Sequence, residues 1–219
     1  MNSPILQLLV LAGIAVFLIL RLKSVLGTRD GYEAPPAERP ATDTGARRNF
    51  EVIEGGPDHD IIDNVPEGSP AADALSRMKA IEPSFNVGQF LQGARGAYEM
   101  ILMGFERGDL AQVKPFLAED VYEAFAEVVE DREKKGLTID AEFIGVRELS
   151  LVDATLDEET KAAEITVKFI GELTYVVRDN AGEVIEGKDG KIKRQKDVWT
   201  FERVFGSDDP NWHLVATGE

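Results

Sequence analysis

The sequence predicts an α+β fold, with helices first and an antiparallel sheet after them, behind an apolar N-terminal segment and a linker. Three observations carry this. From Ala163 to Arg178 the side chains alternate. Ala163, Ile165, Val167, Phe169, Gly171, Leu173, Tyr175 and Val177 share one face, while Glu164, Thr166, Lys168, Ile170, Glu172, Thr174, Val176 and Arg178 lie on the other. That period of two is the signature of a half-buried strand. From Asn86 to Arg107 the period is helical, with Val87, Phe90, Leu91, Ala94, Ala97, Tyr98, Ile101, Leu102 and Phe105 on one stripe. At Thr138 the period switches to strand and does not switch back, which segregates the helices to one side of a sheet. The long strand exceeds the usual 3–10 residues, so a bend is expected, with Gly171 as its marker. A curved sheet with helices on its concave side follows.

Composition narrows the function. The 219 residues carry a formal net charge of −16 and 43% hydrophobic residues. A chain this acidic is a poor binder of nucleic acid, where affinity comes from neutralising phosphates. No cysteine is present, so disulfides and thiolate chemistry are excluded. The charge is uneven: residues 85–219 hold 16 bases against 28 acids, whereas residues 1–30 hold Arg21, Lys23 and Arg29 against Asp30 alone.

Ile5 to Leu20 is apolar except for Gln7. As a helix it would span about 24 Å, near the ~30 Å of a hydrocarbon core, with Arg21 able to snorkel to headgroups. Positive charge follows the apolar run instead of preceding it, and no small-x-small cleavage site comes after. The segment therefore reads as an uncleaved anchor, not a signal peptide. Arg21 and Lys23 flank it on what should be the cytoplasmic side. The expected organisation is an anchor over 1–27, a linker over 28–68 rich in proline and glycine, and a folded domain over 69–219. Asp58, His59, Asp60 and Asp63 fall in the linker. They read as plain acidity, because a metal site needs a rigid frame.

Within the domain, Ser69 and Pro70 open a helix striped by Ala74, Leu75, Met78 and Ile81 and closed by Pro83. The helix over 86–107 contains Gly88, Gly93, Gly96 and Gly104, a run suggesting close approach of another backbone, and Gly108 ends it. Asp109 should cap a short helix carrying Leu110, Val113, Phe116 and Leu117. Asp120 with Glu123 resembles a capping box for a helix reaching Lys135, with Gly136 as terminator. The strands expected are Ala141–Asp153, the long strand, Asp197–Phe205 and Asn211–Ala216. Asp157-Glu158-Glu159 and Asp179-Asn180-Ala181-Gly182 form turns between them. A strand starting at Glu183 should break at Gly187–Gly190.

Phe90, Tyr98, Phe169, Tyr175, Trp199, Phe201 and Trp212 could line a pocket for an apolar chain or a partner's side chains. The same stripe serves ordinary core packing, and both readings stay open. Lys188, Lys191, Lys193, Arg194 and Lys196 form the one dense basic run of an acidic domain. It suits anionic lipid headgroups, worth about 1 kcal/mol per charge near the surface, or a solvated arm. For catalysis, a cavity must hold a titratable group. The inward stripes offer Tyr98 and Tyr175 but no acid or histidine, and His213 should face away between Trp212 and Leu214. No phosphate loop, nucleophile elbow, cofactor motif or metal-ligand spacing occurs. No catalytic residue is assigned. An isomerase- or dehydratase-type enzyme using the pocket is the alternative to a binding module.

Asp197-Val198-Trp199-Thr200-Phe201-Glu202-Arg203 and then Ser207-Asp208-Asp209-Pro210-Asn211-Trp212-His213-Leu214-Val215-Ala216-Thr217 resemble the signature of the Tim44-like domain. Phe90-Leu91-Gln92-Gly93-Ala94, Gly108-Asp109 and Arg132-Glu133 fit it at their spacings. The resemblance covers about residues 85–217. It implies a cone-shaped fold like that of nuclear transport factor two, with a large apolar pocket. It also implies peripheral contact with anionic lipid and an adaptor role without catalysis. The mitochondrial member's long charged N-terminal region, which binds channel and chaperone, is replaced here by an anchor and short linker. The chain is thus similar to bacterial, alphaproteobacterial members at the inner membrane, single-pass with a cytoplasmic domain and an unnamed protein partner. Import into mitochondria is then not its task.

Overall fold

α1 (His59–Ile62), α2 (Pro70–Ile81), α3 (Val87–Arg107), a 3-10 turn (Lys114–Phe116) and α4 (Glu119–Lys134) precede β1 (Thr138–Leu156), β2 (Ala162–Arg178), β3 (Val184–Val204) and β4 (His213–Gly218). The strands pair antiparallel in the order β1-β2-β3-β4. The expected split into helices and then sheet is what the chain adopts. The computed structural model describes residues 58–218. The described residues lie within one compact unit, Pro57–Glu219. The anchor expected over 1–27, with Arg21 and Lys23, lies outside the described residues, as does the linker up to residue 57. Among the described residues no helix is long and apolar enough to cross a membrane.

The folded body begins ahead of the boundary expected at 69. Ile61 and Val65 are buried in the common core. The acidic cluster there is structural. Asp58 caps α1 by accepting from the Asp60 N–H. Asp60 in turn accepts from the Val87 and Gly88 N–H groups that open α3. Lys79 reaches both carboxylates at 2.7 Å. Burial alone would raise the Asp60 carboxyl, but Lys79 and the two helix N–H groups outweigh it and hold it below its ordinary value.

α3 runs between the signals its sequence carries. Asn86 accepts from the Gln89 N–H at the start, and Gly108 adopts the left-handed conformation at the end. Its stripe packs on the sheet through Phe90, Ala94, Tyr98, Ile101 and Leu102. Two other helix expectations are corrected. Asp109 opens no α-helix; its side chain accepts from Gln112, and only the 3-10 turn around Pro115 follows, since proline supplies no N–H for a longer ladder. The capping box is absent: α4 starts after Ala118 without a side-chain cap. There the Ala118 N–H donates to the Leu214 carbonyl, so β4 fixes where α4 begins.

β2 alternates in burial along most of its length, with Ala163, Ile165, Val167, Phe169 and Leu173 fully enclosed. Three register shifts against β1 leave Ile144, Arg147 and Val152 as unpaired extra residues. Such bulges bend and twist a strand. The bend expected at Gly171 is therefore carried by its partner strand, where Arg147 is the extra residue opposite Ile170 and Gly171. β3 does not break at Gly187–Gly190 as expected. Its ladder to β2 instead jumps from Ile192 opposite Thr174 to Gly187 opposite Val176, so Lys188–Lys191 leave the pairing as an excursion. Gly187 permits this. Its φ is +81°, and an added Cβ would lie 2.1 Å from the Tyr175 carbonyl oxygen.

Candidate functional site

The seven aromatics singled out from the sequence fall into two neighbourhoods, and all but Tyr175 and Trp212 are buried. Tyr98 stacks on Phe169 with centroids 4.4 Å apart and planes 5° from parallel, and Trp199 tilts against Tyr98 at 4.8 Å. All three are buried. Tyr175 is half-buried under the ammonium of Lys193, 4.4 Å from its ring centroid. Phe90 and Phe201 pack edge to face at 6.1 Å and reach the wall of a groove of about 480 Å³.

That groove is built by five segments, one of them the 3-10 turn, which supplies Phe116. The N-terminal half of α3 supplies Phe90, Ala94 and Ala97, and the turn before it supplies Glu82 and Phe85. β3 gives Phe201 and Arg203, and the approach to β4 gives Pro210, Asn211 and Trp212. Trp212 sits 4.7 Å from Phe90 and 6.2 Å from Phe85, ring to ring. Gly93 and Gly96 lie along the groove, with no atom within 4 Å of where a Cβ would stand. The interior glycines of α3 thus serve two purposes. Gly104 meets the expectation of a close backbone approach, because a Cβ there would fall 3.1 Å from the Asp109 carbonyl oxygen, and also 2.8 Å from Val113 Cγ1. Gly93 and Gly96 leave open space.

One end of the groove is polar. Arg203 Nη2 donates to Glu82 Oε2 at 2.5 Å, and its guanidinium lies over Phe205. This hydrogen bond holds the Glu82 carboxyl below its ordinary range. The Arg203 side chain is 10% exposed, and its Nε has no hydrogen-bond partner. The acid and the base neutralise one another. The groove therefore presents an uncharged, aromatic surface rimmed by Ser84, Asn86, Gln89 and Asn211, suited to an apolar guest with a polar edge.

Two buried carboxylates were missed, and the expectation that the inward stripes hold no acid is corrected. Asp197 is buried and accepts from the Tyr98 hydroxyl at 2.5 Å and from Gln195 Nε2 at 3.1 Å. Burial, and then the Asp197 charge, push the Tyr98 phenol far above its ordinary value. Glu106 is buried on α3, with Arg132 Nη1 3.7 Å from its Oε2 and no hydrogen bond to that oxygen. Burial raises its pKa against the attraction of Arg132 and Lys193. The signal was present in the periods. Asp197 has the parity of Trp199 and Phe201, and Glu106 stands four residues after Leu102 on the apolar stripe. Neither carboxylate lines the groove. His213 lies on β4 opposite Glu202.

The basic run sits at the other end of β3. Arg194 Nε donates to Glu172 at 2.8 Å, and Lys193 covers Tyr175. Lys188, Lys191 and Lys196 are exposed, with no carboxylate within 4 Å among the described residues.

The described residues thus form a helix-covered antiparallel sheet with a neutral aromatic groove and a basic arm. The chain belongs to the Tim44-like domain family, which it matches over residues 71–219. It is similar to the human mitochondrial import inner membrane translocase subunit TIM44, at 24% identity over 145 residues, covering 66% of this chain and 32% of that protein. It is also similar to subunit TIM44-1 of Arabidopsis thaliana, at 22% over 161 residues, covering 71% and 34%. The chain thus spans about a third of the length of the curated relatives it matches. Among solved structures, the intermembrane space region of the chloroplast protein ARC6 aligns with 58% of this chain and 94% of that chain, at a TM-score of 0.40 and 14% identity.

Proposed function

We propose that this chain is a membrane-associated adaptor, without enzymatic activity, whose groove receives an apolar segment of a protein partner. The groove carries the reading: an aromatic surface of about 480 Å³ whose one acid and one base are paired to each other. Acid–base catalysis needs a titratable group facing the bound molecule. The two buried carboxylates lie away from the groove, and Asp197 is engaged by Tyr98. The relatives' role as translocase subunits agrees with an adaptor.

Membrane association has two proposed sources. The apolar run Ile5–Leu20, flanked by Arg21 and Lys23, anchors the chain in a bacterial inner membrane with the domain on the cytoplasmic side. Lys191, Lys193, Arg194 and Lys196 add attraction to anionic headgroups. Because Lys193 and Arg194 already have partners, Lys188, Lys191 and Lys196 contribute most. Co-sedimentation of residues 58–219 with anionic vesicles tests the second source. Binding at low salt that disappears at high salt supports it, and no binding at any salt removes it.

A further inference from the structure

β4 covers only part of β3. The register between them runs from Val198 opposite Gly218 to Glu202 opposite His213. Ile192–Lys196 remain in clean register with β2 on one side, from Thr174 opposite Ile192 to Ile170 opposite Lys196. On the other side no described residue pairs with them. Five residues at 3.3–3.4 Å each make about 17 Å of open edge, close to the usual length of a strand. No described residue lies where a longer fourth strand would pair.

We propose that this open edge accepts an extended acidic segment of a partner protein as an added strand, continuing the line of β4. The observation that chooses the occupant is charge. Lys191, Lys193, Arg194 and Lys196 border the edge in a chain of net charge −16. A strand's backbone hydrogen bonds give such pairing its affinity, and alternate side chains give its selectivity. Acidic residues on the added strand would meet these cations, and an apolar residue would lie against Ile192, which is 52% exposed. A second copy of this chain is disfavoured by the same residues, because edge-to-edge pairing would set lysine against lysine. Lysines on edge strands commonly block self-association in this way. The inference goes beyond the groove: failure at the edge leaves the groove reading untouched, since the two sites share no residue.

The test uses the full chain in detergent micelles and a fluorescent octapeptide of glutamates around one central valine, because Ile192, Arg194 and Lys196 share a face of the strand. Three probes accompany it: the same peptide N-methylated at alternate residues, a valine–lysine counterpart, and anionic phospholipid vesicles. The acidic peptide is expected to bind and to slow amide hydrogen exchange within Ile192–Lys196. N-methylation should abolish binding. The double change Lys191→Glu with Lys196→Glu should weaken it by about tenfold, the size of one to two surface ion pairs. Both positions are exposed, and an unchanged melt confirms that the variant folds. Equal binding of the N-methylated peptide would reduce the interaction to charge and overturn the proposal. Protection by vesicles without peptide binding would assign the edge to lipid and also overturn it. Concentration-dependent self-association protecting the same amides would do so in favour of a second copy.

Discussion

The hydroxyl of Tyr98 on α3 donates to the carboxylate of Asp197 on β3 at 2.5 Å, tying the central helix to the sheet through the core. Gly171 makes room for it: a Cβ there would stand 2.5 Å from the Tyr98 Oη and 3.0 Å from its Cε1. The ring cannot retreat, because it is stacked on Phe169 and fully enclosed.

Gly171→Ala should therefore destabilise the domain by about 1–3 kcal/mol, as overpacking does. Tyr98→Phe should cost about 1.5–3 kcal/mol through the lost bond to a charged acceptor. The double variant should cost less than the sum, since removing the hydroxyl also removes the closest clash. Urea denaturation of the four proteins measures the coupling. Strict additivity would mean that Gly171 is not there for Tyr98.

The glycines of α3 make opposite predictions on one helix. Gly93→Ala and Gly96→Ala should each stabilise by up to about 1 kcal/mol, the difference in helix propensity, because nothing meets the new methyl. Gly104→Ala should destabilise, because its Cβ would press on Val113 and lie 3.1 Å from the Asp109 carbonyl oxygen. If the groove is functional, the two stabilising changes should weaken partner binding. Thermal melts read the first effect. A loss of stability at Gly93 or Gly96 would contradict the openness of the groove.

Glu106 should make stability depend on pH. Burial raises its folded pKa above the ordinary 4.5. Between 4.5 and that raised value the folded state holds more protons than the unfolded state, so stability falls as pH rises through this window. The groups facing it are Arg132 from α4, Lys193, Glu186 and Asp197 from β3, and Tyr175 from β2. Glu106→Gln should behave like the parent below pH 4.5. At neutral pH it should be more stable, by up to the 1–3 kcal/mol or so that an unpartnered buried acceptor costs. Arg132 keeps the Phe105 carbonyl and ring as partners in that variant. Denaturation across pH that shows a constant offset would rule this out.

Much of the fold was legible because burial writes a period into the chain. The alternation over 163–178 and the stripe over 86–107 each gave an element within a residue or two. What escaped was set by contacts distant in sequence. Leu214 fixes the start of α4, and Asp60 caps α3 from 27 residues away, which drew the expected linker into the fold. The site was legible in part. Phe90 and Phe201 reach the groove, but Tyr98, Phe169 and Trp199 share their pattern and lie in the core. Hydrophobic periodicity shows which face is inward and does not show where the inward space stays empty. Trp212, expected among the pocket aromatics, does line the groove, whereas Phe85, which completes it, comes from an irregular segment with no period to read.

The adaptor reading is tested most directly by a photocrosslinking residue at Gln89 on the groove rim, compared with one at Glu127 on α4, in the membrane-containing cell of origin. The account predicts a discrete protein adduct from Gln89 that is absent at Glu127 and lost when Phe90→Asp places a charge in the groove. An intact mass from Gln89 carrying only a small molecule, with no protein adduct, would contradict it and favour a small-molecule site.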